Sequence, residues 1–174
     1  MDYIFTLKYQ LSANDDDLDG IVERLGAGGC DDALIGVGQP GRIAMEFTRE
    51  AASAGEALIS ALSDVKRLLP EAKLIEAAPD FVGLSDVAEV MGMTRQNIRK
   101  LMVKHSASFP PPVHEGSAAV WHLADVLAWL KAKGAYQIAP GVAEVAATAK
   151  QVNLARSAPQ LEPALQRQMR ALLA

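Results

Sequence analysis

Apolar and polar positions alternate from the start of the chain: Tyr3, Phe5, Leu7, Tyr9 and Leu11 interleave with Ile4, Thr6, Lys8 and Gln10. A period of two predicts a strand with one buried face. The period then changes. Leu18, Ile21, Val22 and Leu25 recur at helical spacing behind the acids Asp15, Asp16, Asp17 and Asp19, and Gly26 to Gly29 end the helix. Ala33 to Val37 predicts a second strand, a turn follows at Gly38, Gln39, Pro40 and Gly41, and Ile43, Met45 and Phe47 carry the chain back as a hairpin. Leu58, Leu62, Val65 and Leu69 mark a helix from about Ala54 to Leu69, stopped by Pro70, and Lys73 to Glu76 is a short last strand.

This order, β-α-β-β-α-β, predicts an α+β fold whose first domain, residues 1–79, has the ferredoxin-like arrangement. Pro79 and Asp80 mark its end. In residues 80–135 the pattern is that of two short helices meeting across a glycine turn. Ala88 is small where the helices approach, Gly92 follows where the chain must turn, and Ile98 and Leu101 anchor the second helix. Val87, Met91 and Met93 complete the seam, and Thr94 is placed to cap the second helix. Phe109 to Val113 is extended, His114 to Ser117 turns, and Ala119 to Trp121 is expected to return as a second short strand, making a wing. Asp125, Val126, Trp129 and Leu130 give a closing helix, with Trp121 and Trp129 expected to pack on the first two helices. Residues 136–174 read as a helical tail with two apolar stripes, Val142, Val145, Ala149 and Val152, then Leu161, Leu165, Met169 and Leu172. They are expected to serve as a dimerisation arm in preference to packing back on the same chain.

Charge changes the picture once the chain is divided. The net charge is −4, but residues 1–80 hold 7 Lys+Arg against 15 Asp+Glu, residues 81–136 hold 6 against 4, and residues 137–174 hold 4 against 2. An acidic first half and a mildly basic second half fit a protein of which only the second half meets phosphates. The cations concentrate on the second helix of the pair, where Arg95, Gln96, Asn97, Arg99, Lys100 and Lys104 occur with no acid after Glu89. These are side chains that contact phosphates and base edges.

Other chemistry is thin. Asp15, Asp17, Asp19 and Gly20 imitate the opening of a calcium loop, but Gly26 stands where the twelfth-position glutamate is required, so no metal is expected. Asp31 and Asp32 read as loop residues, and Arg49 with Glu50 as a solvated ion pair. Cys30 has no second cysteine and reads as a small buried hydrophobe. His105, His114 and His122 read as DNA-facing or surface residues. No nucleophile with a base, phosphate loop or metal cluster is apparent, so neither an enzyme nor a cofactor is expected. No apolar run of about eighteen residues occurs and the N-terminus has no signal-sequence pattern, so a cytoplasmic protein without membrane association is expected.

The run from Phe81 to Gly134, with LSDVAEVMGMTRQNIRKLM, FPPPV, a hairpin ending in VW and then DVLAWL, resembles the small winged DNA-binding modules of MerR-type regulators, AlpA-like phage regulators and excisionases. The first half, with GCDDA and FTREAASAGEALISAL, resembles the N-terminal region of small bacterial helix-turn-helix proteins of unassigned function. The first resemblance implies a second helix in the major groove and a wing over the neighbouring backbone. DNA contacts are expected from Thr94, Arg95, Gln96, Asn97, Arg99, Lys100 and Lys104, with His114 and Ser117 from the wing. Wings of this family commonly carry Arg or Lys at the tip, whereas this one offers His114, Glu115, Gly116 and Ser117. Affinity is therefore expected to rest on the second helix and on a homodimer reading a palindromic site in double-stranded DNA. The expected function is a sequence-specific transcriptional regulator, most simply a repressor of its own or a neighbouring promoter. Its first domain would dimerise, bind a small ligand or hold a protein partner. Two alternatives are an antitoxin-like module that sequesters a partner through that domain and an excisionase-like architectural protein.

Overall fold

A computed structural model describes residues 1–13 and 17–173; Asp15 and Asp16 lie outside the described residues. The first half follows the predicted order: β1 (Asp2–Gln10), α1 (Leu18–Ala27), β2 (Ala33–Val37), β3 (Arg42–Glu50), α2 (Ala54–Leu68) and β4 (Lys73–Ala78). The strands form one sheet in the order β2-β3-β1-β4, every neighbour antiparallel. Alternation decides its faces. Tyr3, Phe5, Leu7 and Tyr9 of β1 and Ile43, Met45 and Phe47 of β3 point inward against Ile21, Leu25, Leu58, Ala61 and Val65 of the two helices. Phe5 and Phe47 face each other across the strands with ring centroids 5.2 Å apart. Asp17 caps α1, its carboxylate accepting from the Gly20 amide at 3.0 Å.

Two expectations about this half are corrected. Arg49 is no solvated partner of Glu50. The same alternation that buries Phe47 buries Arg49, which donates to Asp32 at 2.7 and 3.0 Å, to Asp64 at 2.9 Å, to Ser60 at 3.1 Å and to the Gly29 carbonyl at 2.9 Å. Asp32, read as a loop residue, is thus half of a bidentate pair that joins the β2 approach to β3 and α2. That hydrogen bond to Asp32 is the chief cause of a guanidinium pKa raised above its already high ordinary value. Cys30 is buried as expected, and burial first and Asp64 second push its thiol pKa up.

The second half contains β5 (Phe81–Val82), α3 (Leu84–Val90), α4 (Arg95–Lys104), β6 (Trp121–His122), α5 (Leu123–Ala132), α6 (Val142–Ser157), a 3-10 turn at Ala158–Gln160 and α7 (Pro163–Leu173). Its core gathers Val82, Val87, Ala88, Ile98, Phe109, Trp121, Leu123, Val126, Leu127 and Leu130. The predicted return strand is placed differently. Trp121 and His122 pair with Val82 and Phe81, and the loop from Phe109 to Val120 closes on a single bridge between His114 and Val120. Proline at 110, 111 and 112 removes the amides that a longer ladder would need.

The first tail helix joins the two cores. Val145 and Ala149 of α6 are buried with the sheet and α2, with Val152 beside them, whereas Ala146 is buried against α5 with Val142 and Ala143 near it. The expected single stripe therefore splits between two surfaces of its own chain. Tyr3 donates to Glu144 at 3.1 Å, and Lys150 donates to both Asp125 oxygens at 2.7 and 2.8 Å. The second stripe has no such cover: Leu161, Leu165 and Leu172 are exposed.

Asn153 is the buried polar residue of α6. Its side chain brackets Ala77, accepting from the Ala77 amide at 2.9 Å and donating to the Ala77 carbonyl at 2.8 Å. It also donates to Asp80 Oδ2 at 2.8 Å. The other Asp80 oxygen lies 2.7 Å from His122 Nδ1, and the Asp80 carbonyl accepts from the Leu123 amide at 2.7 Å. His122 is thus a buried partner of Asp80 and not a surface or DNA-facing residue. Position 122 ends β6 on its inward side, and a carboxylate that only accepts requires the proton on Nδ1. Among the described residues, no buried side-chain nitrogen or oxygen lacks a hydrogen-bond partner, and no helix is long and apolar enough to cross a membrane.

Asn153→Ala removes three hydrogen bonds and strands a buried carboxylate oxygen, so a loss of about 3 kcal/mol in urea unfolding is expected. Arg49→Met should cost about 2 kcal/mol in the same measurement, since it frees Asp32 and Asp64, which water partly reaches. Equal stability of either variant and the native chain would contradict these assignments.

Candidate nucleic-acid interface

The local sequence builds the interface from the turn outward. Gly83 precedes α3, and its amide donates to Asp86 at 2.7 Å. After α3 the Met93 amide donates back to the Ala88 carbonyl at 2.8 Å, and Gly92 takes φ +60°, which any residue with a Cβ disfavours. Thr94 then caps α4, its hydroxyl accepting from the Asn97 amide at 3.2 Å. The hydroxyl proton is left free to donate outward. Ile98 is buried against Val87 and Ala88, which fixes the roll of α4 about its axis.

That roll places the polar side chains in solvent. Arg95, Gln96, Asn97, Arg99, Lys100 and Lys104 are all exposed. Among the described residues, Arg95, Arg99, Lys100 and Lys104 form no ion pair. Gln96, Arg99, Lys100, Val103 and Lys104 line one open depression of about 570 Å³ along the helix, at the spacing of a single face. Arg95 and Asn97 flank its N-terminal end without lining it. The sequence reading omitted Val103, which is 64 % exposed in the middle of this cationic face. The i, i+3, i+4, i+7 spacing from Gln96 already pointed to it. An apolar side chain between cations can meet a thymine methyl as a neighbouring Arg meets an acceptor on a base edge.

The loop beyond α4 is held from below. Phe109 packs edge-on to Trp121 and Trp129, the Trp121 ring donates to the Pro110 carbonyl at 3.1 Å, and Trp129 donates to Ser108 at 3.3 Å. A groove of about 490 Å³ runs from Met102 and Val103 of α4 past Pro111 and Pro112 to Glu115 and Trp121. His114 and Ser117 are exposed at the loop tip as expected, but neither lines this groove; of the tip residues His114 to Ser117, Glu115 does. The His114 ring lies over Gly116, where an added Cβ would come within 2.7 Å of Nε2. The structure therefore groups the seven residues from Thr94 to Lys104 and sets His114 and Ser117 apart from them.

A fifth cation reaches the end of α4 from a distant part of the chain. His105 follows the helix and lies tilted against Trp129, ring centroids 5.6 Å apart, while Lys133 lies 4.9 Å over the same indole. Desolvation first, then Lys133 and Lys104, lower the His105 pKa, so its imidazole is neutral near pH 7. Lys133 could not be assigned from the local motif, because α5 brings it here through the packing of Trp129.

A family model described as the prophage CP4-57 regulatory protein (AlpA) matches residues 80–133. The match begins at Asp80 and ends at Lys133, spanning the helix pair, the loop and α5, but under a third of the chain. It supports an AlpA-like, DNA-binding reading of this segment. No curated protein and no solved structure matches the chain.

Gly92→Ala forces a Cβ into a left-handed turn and should lower stability by about 1 kcal/mol. Thr94→Ala should cost about 1 kcal/mol through the lost cap. Thermal unfolding of the two variants checks both values, and an unchanged midpoint for Gly92→Ala would contradict the turn geometry.

Proposed function

We propose that this chain is a sequence-specific regulator of transcription that lays α4 in the major groove of double-stranded DNA, with the loop from Phe109 to Val120 acting as a wing. The observation that carries the reading is the exposed face of α4, on which Arg95, Arg99, Lys100 and Lys104 have no acidic partner among the described residues. Surface cations kept for solubility are commonly interleaved with acids; here the first acid beyond Glu89 is Glu115, on the loop. The match of residues 80–133 to the AlpA family supports the same reading.

The roles divide by position. Arg95, Gln96, Asn97 and Arg99 near the helix start read base edges or adjacent phosphates, and Lys100 and Lys104 neutralise phosphates. Thr94 supports the first contact by donating its free hydroxyl proton. The wing is a minor contributor, because its tip presents His114, Glu115, Gly116 and Ser117 without Lys or Arg. The sheet order β2-β3-β1-β4 supports a ferredoxin-like first domain that serves assembly or partner binding. The protein acts without catalysis, as a homodimer on a palindromic operator, and represses by occupying it.

Binding is measured on duplexes selected from random DNA by rounds of capture. Arg95→Ala with Arg99→Ala should weaken binding about a hundredfold and reduce the slope of log affinity against log salt by about 2, while the far-ultraviolet spectrum stays native. An unchanged affinity and salt slope in the folded double variant would reject α4 as the reading element.

A further inference from the structure

The helices cover one face of the four-stranded sheet, and the other face is open. Alternation puts Asp2, Ile4, Thr6, Lys8 and Gln10 of β1 on the open side, with Arg42, Ala44, Glu46, Thr48 and Glu50 of β3 beside them. Leu34 and Gly36 of β2 continue the face, Leu34 being 74 % and Ile4 62 % exposed. The open face thus carries two exposed apolar side chains, one on each side of β3.

Its charges are sorted along the strands. One end carries Asp2 and Glu50, which stand directly opposite each other, and Glu46 lies at mid-strand opposite Thr6; none of the three is in an ion pair among the described residues. Like charges across a strand pair oppose folding. The other end carries Arg42 and Lys73, which have no acidic partner among the described residues, while Lys8 is neutralised by Glu76 at 2.9 Å. The Arg42 side chain donates to neutral Gln10 at 3.3 Å. An acidic end and a cationic end on one flat face complement a second copy of that face turned end for end.

We propose that two copies of this chain associate through the open sheet faces, about a two-fold axis lying between the sheets and perpendicular to the strands. This operator lays each strand antiparallel over its own copy, so Arg42 of one copy enters the acidic end of the other near Asp2 and Glu50, twice per dimer. It also sets Leu34 over the strip at Gly36, which offers no side chain. A two-fold axis along the strands would instead stack the two acidic ends. Strands of nine, five, nine and six residues at ~3.3 Å rise and ~4.8 Å spacing give a face of roughly 460 Å², about 900 Å² for the pair. That area is in the range of weak, transient interfaces, and association in the micromolar range is expected. The proposal rests on the reading of the protein as a homodimer and names the surface that forms it.

The test is sedimentation of the full chain without DNA, from 1 to 200 μM and at two salt concentrations. The native chain should dimerise in the micromolar range and dissociate more readily at 0.5 M than at 0.1 M salt. Arg42→Glu alone and Glu50→Arg alone should each weaken the dimer at least tenfold. An equimolar mixture of these two variants should form a heterodimer, and a chain carrying both substitutions should recover the native constant. Residues 42 and 50 lie roughly 26 Å apart on one strand, so that recovery cannot arise within a chain. A native chain that stays monomeric throughout overturns the proposal. So does a dimer indifferent to both charge reversals, or one lost on Leu165→Glu in α7 instead. Because no DNA is present, loss of DNA binding by the Arg95 and Arg99 variant with association intact separates a failure of the reading helix from a failure of this interface.

Discussion

The buried Asp80 carboxylate is the constraint on which the arrangement of this chain depends. It is inaccessible to solvent, and a carboxylate in such a place is tolerated only when both oxygens are hydrogen-bonded. One oxygen is met by His122 and the other by Asn153, residues drawn from two later segments that are distant in sequence. Asn153 can reach Asp80 only when α6 lies against β4, where the same amide also brackets Ala77. The last residues of the sheet, the start of the second half and the first tail helix are thereby fixed together at one point. Apolar packing alone would not select this register, because the α6 surface is mostly Ala and Val and fits several rotations nearly equally well.

Consequences for the α4 face follow along the chain. Asp80 precedes β5, β5 pairs with β6, and β6 carries the Trp121 ring that holds Phe109 and the root of the loop. Gly83 then opens α3 directly after β5, so the roll of α3, and through Ile98 that of α4, is referred to the same anchor. The cationic face of α4 therefore has a set orientation to the acidic sheet. Because opposite signs of charge are held on separate, rigidly connected surfaces, the acids of the first half do not fold back to neutralise the cations of α4. Among the described residues, no ion pair joins the two.

Most of the regular elements were legible because each depends on short-range pattern. Strict alternation fixed β1 and β3, glycine and proline fixed the turns, and Thr94 and Gly92 fixed the junction between α3 and α4 through backbone geometry that needs no distant partner. The misread residues share one property: their meaning lies in contacts far away in sequence. Arg49 resembled a surface cation, although counting by twos from Phe47 put it on the inner face, where Asp32 and Asp64 await it. His122 gave no local sign of burial, since its partner precedes it by most of a domain. The proline-rich loop looked like half of a hairpin, but Trp121 finds its ladder partner in Val82 instead. On α4 the cations were read directly, whereas Lys133 became visible only after Trp129 had been packed.

Affinity and symmetry bear on why so much structure accompanies so small a reading surface. Four cations on one helix, each contributing at most one released counterion, give only modest and strongly salt-dependent attachment to a duplex. One helix also reads few base pairs, so a useful ratio of specific to non-specific binding requires two such helices at a defined spacing. A flexible link between an assembly domain and a reading helix would lose much of the gain to the entropy of positioning the second helix. The clasp of Asp80, His122 and Asn153 removes that freedom. In the proposed dimer, the operator that relates the two sheets would be transmitted through α6 to two α4 helices, and the half-site spacing would be a property of buried hydrogen bonds remote from the DNA. On this view the weak loop tip and the acidic first half are no defects of a DNA-binding protein. In the proposed dimer they would restrict productive binding to the assembled pair, with α4 facing the duplex and the acids of each copy facing the other's cations.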